Sequence, residues 1–258
     1  MTVTITFANQ KGGVGKTTSA VTIAHGLANQ GLHVLLVDLD SQGHIAHCLG
    51  LTKENALFRL LVDQEPLERV TRRARERLDI IPGDKSTDQI GELLKDRKKG
   101  LYRLHYYARR LKGYDVLVFD TPPSLSLLQA SAIMASDLLV IPVVLESLAI
   151  DGLNELIKTT AELRKYHEDI AKFGTFILPT LYERMSNEPK EQFRELARLY
   201  GKTIWPPIPR DTHVREAPAL HKTIWEYAPN TPAIAYTMNG ILIGGYQLIL
   251  ERIMEMIK

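Results

Sequence analysis

The chain has 258 residues, enough for a sizeable buried core, and one α/β domain over residues 1–258 is the expected organisation. Hydrophobic residues make up 45% and charged residues 24%, which excludes a disordered or low-complexity chain. With 32 basic against 30 acidic side chains the net charge is +2, so a polyanion partner would have to be met by a local patch.

The first apolar, β-rich run covers residues 3–8 and leads into Lys11-Gly12-Gly13-Val14-Gly15-Lys16-Thr17-Thr18. A helix follows over 16–30, with Ala20, Ile23, Ala24, Leu27 and Ala28 at helical spacing and Gly31 as its stop. Strand, glycine-rich loop and helix in that order form a phosphate cradle. Glycines let backbone N–H groups approach phosphate oxygens, and the helix adds the positive end of its dipole. In such a loop Lys16 reaches the β- and γ-phosphates of ATP and the Thr17 hydroxyl coordinates Mg2+.

A second buried run, 34–37, ends in Asp38-Leu39-Asp40-Ser41-Gln42-Gly43. Carboxylates at the end of a parallel strand beside a phosphate loop hold Mg2+ through water or orient an attacking water. Strand alternation would put Asp38 and Asp40 on one face. Residues 52–112 carry no motif beyond the short run 78–81, and partner choice is the expected use of this region. Within it, 95–112 has eight basic residues against Asp96, with Tyr102, Tyr106 and Tyr107 interleaved.

The run 116–119 delivers Asp120, followed by Thr121-Pro122-Pro123-Ser124, and this acid is expected to face the Mg2+ shell. Further apolar runs at 138–141 and 173–178 complete the series. Continuous apolar strands separated by helices imply a mostly parallel, doubly wound sheet with helices on both faces. The stretch 246–258 is amphipathic, with Ile249, Leu250, Ile253 and Ile257 on one side. It has no basic excess to attract lipid, so packing on the sheet is expected rather than membrane anchoring. Cys48 is the only cysteine, which excludes an internal disulfide and a cysteine-held cluster. His44, His47 and Cys48 lack the second ligand pair a tetrahedral metal site needs. No signal-peptide pattern opens the chain, and a cytoplasmic protein is expected.

The loop departs from the ordinary P-loop: Gln10 stands where a glycine is usual, and Lys11 is added. In this it resembles the deviant Walker A loop of the ParA/MinD superfamily, and the resemblance extends over nearly the whole chain. The acids after the second strand are similar to the family's switch I, and Asp120-Thr121-Pro122-Pro123 to its switch II. Ile141-Pro142 with Glu146 and Ala149-Ile150-Asp151-Gly152-Leu153, Leu178-Pro179-Thr180, and Ile208-Pro209-Arg210 match further blocks. Similarity is greatest to the short ParA/Soj group, which lacks an N-terminal helix-turn-helix.

That resemblance implies a P-loop ATPase that closes as a homodimer on ATP, with Lys11 contacting the partner subunit's nucleotide. The bare alternative for Lys11 is an exposed loop lysine. The resemblance also implies that Asp40 positions the hydrolytic water, that Asp38 acts structurally or through a Mg2+-bound water, and that Glu146, Thr180 and Pro209 contribute to the nucleotide site. Ser41 and His44 depart from the family's Pro-Gln-Gly-Asn pattern, which bears on the rate of hydrolysis. Slow basal turnover, non-specific DNA binding, nucleoid association and a ParB-like or other cargo adaptor follow from the same likeness. Arg184, Arg210, His213 and Arg215 are the DNA-binding candidates, each equally readable as part of a solvated helix face. The alternative function is a MinD-like membrane-cycling regulator of division-site placement.

Overall fold

A computed structural model of the chain describes residues 2–95, 100–146, 149–183 and 187–257. Nine strands occur among them: β1 Val3–Phe7, β2 Val34–Asp38, β3 Arg72–Arg75, β4 Leu78–Ile81, β5 Val116–Asp120, β6 Leu138–Val144, β7 Gly174–Thr180, β8 Tyr236–Met238 and β9 Ile241–Gly244. Seven form one sheet in the order β3-β4-β2-β5-β1-β6-β7. Six of these run parallel, and they are the six apolar runs legible in the sequence. The sheet is therefore the mostly parallel, doubly wound type expected.

Alternation along the strands feeds two cores. Ile5, Phe7, Leu36, Val118 and Val140 face helix Lys16–Asn29 and the C-terminal helix Tyr246–Ile257. Leu35, Val37, Leu117 and Phe119 face helices Ala56–Leu61, Thr87–Lys95, Arg103–Arg110 and Leu127–Ala135. Helix Ala149–Tyr166 extends that second layer with Leu153 and Leu156 over Leu139 and Ile141. Residues 52–112 thus furnish much of one covering layer.

β1 carries two buried threonines on the second face. The Thr6 hydroxyl donates to the Ala132 carbonyl at 3.1 Å and accepts from Ser136 at 2.6 Å, so its burial leaves it paired. In the C-terminal helix, Tyr246, Ile249, Leu250 and Ile253 are buried in the core shared with helix Lys16–Asn29, and Ile257 packs at the margin. No helix among the described residues is long and apolar enough to cross a membrane.

Three strands, β3, β8 and β9, are not among the runs read from the sequence, although β9 is the apolar Ile241-Leu242-Ile243-Gly244. β3 reads Arg-Arg-Ala-Arg and pairs antiparallel with β4 through a bulge between Arg73 and Arg75. Its arginines pair with Glu54, Asp79 and Glu226. β8 and β9 form a separate hairpin whose turn, Asn239-Gly240, has φ of 51° and 77°. Both central residues being left-handed is the turn that suits a two-residue hairpin, and Asn-Gly is its preferred sequence.

Where β9 hands over to the C-terminal helix, Gly245 has φ 91°, and a Cβ there would stand 2.4 Å from the Ile234 carbonyl oxygen. Neither that backbone nor the φ can yield cheaply. Gly245→Ala is expected to destabilise the fold by about 2 kcal/mol or more, read as a lowered urea midpoint.

Candidate active site

The carboxyl ends of three central strands stop level with one another: Phe7 of β1 and Asp38 of β2 both register with Asp120 of β5. After β1 the chain builds outward on one side through β2 and later returns to the other through β6. The crevice at that reversal is where parallel sheets receive ligands. Residues 12–15 make the turn into helix Lys16–Asn29, with Gly13 at φ 73° and Gly15 at φ 84°, values that favour glycine. A Cβ on Gly12 or Gly13 would meet nothing within 4 Å, so the loop opens onto free space. Gly15 caps the helix without a side-chain bond, leaving first-turn N–H groups available to an anion.

Lys16 is buried, and its Nζ donates to the Lys11 carbonyl at 3.2 Å. Burial lowers its pKa, opposed by the charges of Asp120 and Asp40. The loop is braced from outside. Thr180, at the end of β7, donates to the Val14 carbonyl at 2.9 Å. Asn9 donates to the Pro142 carbonyl at 2.7 Å and accepts the Lys11 N–H at 2.9 Å.

Asp38 is wholly buried and accepts the N–H groups of Asp40 and Ile45, each at 3.1 Å. Burial, and then the charge of Asp120, push its pKa well up. Asp120 is 1% exposed, and neither of its oxygens has a hydrogen-bond partner at good geometry among the described residues. Burial raises its pKa to about 7, while the neighbouring Thr17 hydroxyl and Lys16 pull it down. Two buried carboxylates beside a hydroxyl and one lysine fit a divalent cation carried by a nucleotide. Alternation does not carry from Asp38 to Asp40 because β2 ends at Asp38. Asp40 instead stands half-exposed on the crevice wall, its Oδ1 accepting the Gln42 N–H at 2.9 Å.

The crevice has a volume of about 820 Å³ and is lined by Gly12, Gly13, Gly15, Lys16, Thr17 and Thr18 on the loop side. Thr180 and Pro209 line it from the far side, so the structure gathers these residues around one space of nucleotide size. Lys11 and Glu146 are not among the lining residues. They pair with each other at 3.0 Å, with side chains 42% and 57% exposed. So exposed a pair contributes little and lets go easily.

Two of the basic candidates have acidic partners. Arg210 pairs with Glu183 at 2.8 Å, and His213 Nδ1 lies 2.8 Å from Asp211. Arg215 is on the crevice wall, and Arg184 lies outside the described residues. Features the sequence did not flag include Asn9, Leu181 and Gly83. Leu181, at φ 50°, lines the crevice in a left-handed conformation unusual for its type. A Cβ on Gly83 would stand 2.7 Å from the Asp38 carbonyl oxygen, so only glycine lets this loop press on the Asp38–Asp40 backbone. A polar residue closing an apolar strand was the available signal for Asn9.

A sequence-family profile described as an AAA domain matches residues 2–172. The chain is 36% identical to the chromosome-partitioning ATPase Soj of Thermus thermophilus, over 88% of this chain and 89% of that protein. It is 31% identical to the chromosome partitioning protein ParA of Caulobacter vibrioides, covering 86% of each. A solved structure of cobyrinic acid a,c-diamide synthase from Mycobacterium smegmatis with bound ADP and magnesium superposes with a TM-score of 0.76 and 28% identity, over 86% of this chain and 93% of that one.

Because Asp120 holds its proton more tightly folded than unfolded, its effect on stability is fully favourable below pH 4 and is lost as pH rises through about 7. Asp120→Asn is expected to raise the nucleotide-free melting temperature at pH 7.5, by an amount corresponding to about 1–3 kcal/mol. The gain should shrink steadily as pH is lowered toward 4, measured by thermal melts across that range.

Proposed function

Because the chain belongs to the ParA/Soj family of ATPases, we propose that its residues 1–258 act as one ATP-switched unit that dimerises on Mg-ATP, binds DNA without sequence preference and positions a cargo. The observation that carries this reading is the meeting of Lys16 and Thr17, on the crevice wall, with Asp120 buried beside them, while Lys11 is held outside the crevice by a surface ion pair. Bound magnesium supplies positive charge to the phosphates as the γ-phosphoryl group leaves. The glycine loop, with Thr18, orients the phosphates by N–H donation, and Lys16 binds their β,γ oxygens. Thr17 and Asp120 would hold the metal, with Asp38 fixing the Asp40–Ile45 backbone behind it. Asp40 orients the attacking water from the crevice wall. Thr180 and Pro209 bound the far end of the nucleotide.

Lys11 leaves Glu146 and reaches the nucleotide of a second copy. The exposure of the pair supports an easy exchange, since little is lost on separation. Turnover by the isolated protein is slow, because the last water-orienting or electrostatic group in such ATPases comes from a partner. A ParB-like or other cargo adaptor is that partner, and the working location is the cytoplasm, on the nucleoid. Arg184, Arg210, His213 and Arg215 are the candidates for DNA binding. The apolar stripe of the C-terminal helix is turned into the core beside helix Lys16–Asn29, which counts against the membrane-cycling alternative.

Two measurements test the reading. Asp40→Ala, which slows hydrolysis, should bind a random-sequence duplex with ATP but not with ADP, and more weakly as salt rises. No binding in any nucleotide state would remove DNA positioning from the proposal. Lys11→Ala should stay monomeric with ATP by light scattering while retaining nucleotide affinity within about threefold, since loss of the bridge leaves the glycine cradle intact.

A further inference from the structure

Switch II ends in a capping motif whose side chain does something other than cap. Helix Leu127–Ala135 opens with Ser126-Leu127-Leu128-Gln129, the Ser-x-x-Gln spacing of a capping box. Half of the box is made: Ser126 Oγ accepts the Gln129 N–H at 3.1 Å. The reciprocal bond is not, because the Ser126 N–H goes to the Ser124 carbonyl at 2.9 Å. The Gln129 side chain instead turns back into the protein. Its Nε2 donates to the Pro122 carbonyl at 3.1 Å and, more weakly, to Thr121 Oγ1 at 3.5 Å. Gln129 is 0% exposed, and its Oε1 has no hydrogen-bond partner among the described residues. Helix stability explains the serine. It does not explain an amide buried at such cost in a helix otherwise composed of Leu, Ala, Ser, Ile and Met.

The groups facing that amide explain it. Thr121 donates its hydroxyl to the Phe7 carbonyl at 2.9 Å, so its oxygen presents a lone pair to Gln129. The Pro122 carbonyl can only accept. Both neighbours therefore require a donor, which an amide supplies and a carboxylate of the same shape does not. Pro122 and Pro123 have no N–H with which to fix themselves, so the Pro122 carbonyl is one of the few main-chain handles in the turn. Phe7 ends β1, directly ahead of the phosphate loop, while Pro122, Pro123 and Ser124 share the crevice wall with Asp40.

We propose that Gln129 is a positioning residue for ATP hydrolysis, tying the Thr121–Pro122 backbone to the end of β1 and so holding the switch II wall against the phosphate loop. It touches no reacting atom and acts through the turn it holds. The inference rests on the ATPase reading, and the experiment separates the two. Gln129→Met keeps the length of the side chain, removes both donors and suits the apolar surroundings, and Gln129→Leu removes both donors with a second apolar shape. Both variants are compared with the unchanged protein by steady-state hydrolysis, binding of a fluorescent ATP analogue, and hydrogen exchange over 116–126.

In both variants kcat should fall about tenfold, as for a misplaced catalytic wall, while nucleotide affinity stays within about twofold. Exchange at Thr121 and Ser124 should quicken with or without nucleotide. Unchanged kcat and exchange in either folded variant would overturn the proposal. So would a parallel loss of affinity, turnover and melting temperature, which marks a residue that only stabilises the fold. If the unchanged protein hydrolysed no ATP, the ATPase reading would fall, and the exchange data would still decide whether Gln129 holds the turn.

Discussion

Two carboxylates lie side by side in the middle of the sheet, with Lys16 the cation beside Asp120. Asp38 and Asp120 are in register across adjacent parallel strands, both buried, both with pKa values raised chiefly by that burial. An apolar pair at these positions would pack more cheaply, so the arrangement makes sense as a place kept for positive charge. The surrounding features serve that place. Asp38 is held by backbone N–H groups, Lys16 is buried toward Asp120, and the glycines leave the space above open.

The position of that charge also explains the division of labour among the acids. Asp38 spends both oxygens on the backbone that follows it, which makes it part of the frame. Asp120 spends neither on a well-formed bond. Asp40, two residues past the strand, is the one of the three with access to solvent in the crevice. Three carboxylates close in sequence or space thus differ by what each already holds, a distinction that residue type alone does not make.

Much of this was legible before any coordinates. The phosphate loop could be read because each glycine answers a local demand of the backbone, and the six parallel strands because burial on both faces forces unbroken apolar runs. β3 was not legible: a strand of three arginines at the sheet margin satisfies no burial pattern. Asn9 and Gln129 escaped for another reason. The Asn9 contact to Pro142 spans 133 residues, and Gln129 reads as an ordinary helix cap until its side chain is seen to turn away. The basic candidates read as a group in sequence, but folding gives Arg210 and His213 separate acidic neighbours and sends Arg215 to the crevice.

The arginine strand at the sheet margin bears on how the molecule behaves in a crowded solution. An exposed strand edge is an open template for another chain, the usual starting point of fibrous stacking. Here that edge is four residues long, kinked by a bulge and fenced by guanidinium groups, each anchored to an acid on its own chain. At the opposite margin, single bridges from Ile177 to Ile204 and from Tyr182 to Pro209 lay chain alongside β7. Neither border invites a neighbour. Whatever self-association the crevice face supports, the borders of the seven-stranded sheet do not compete for it.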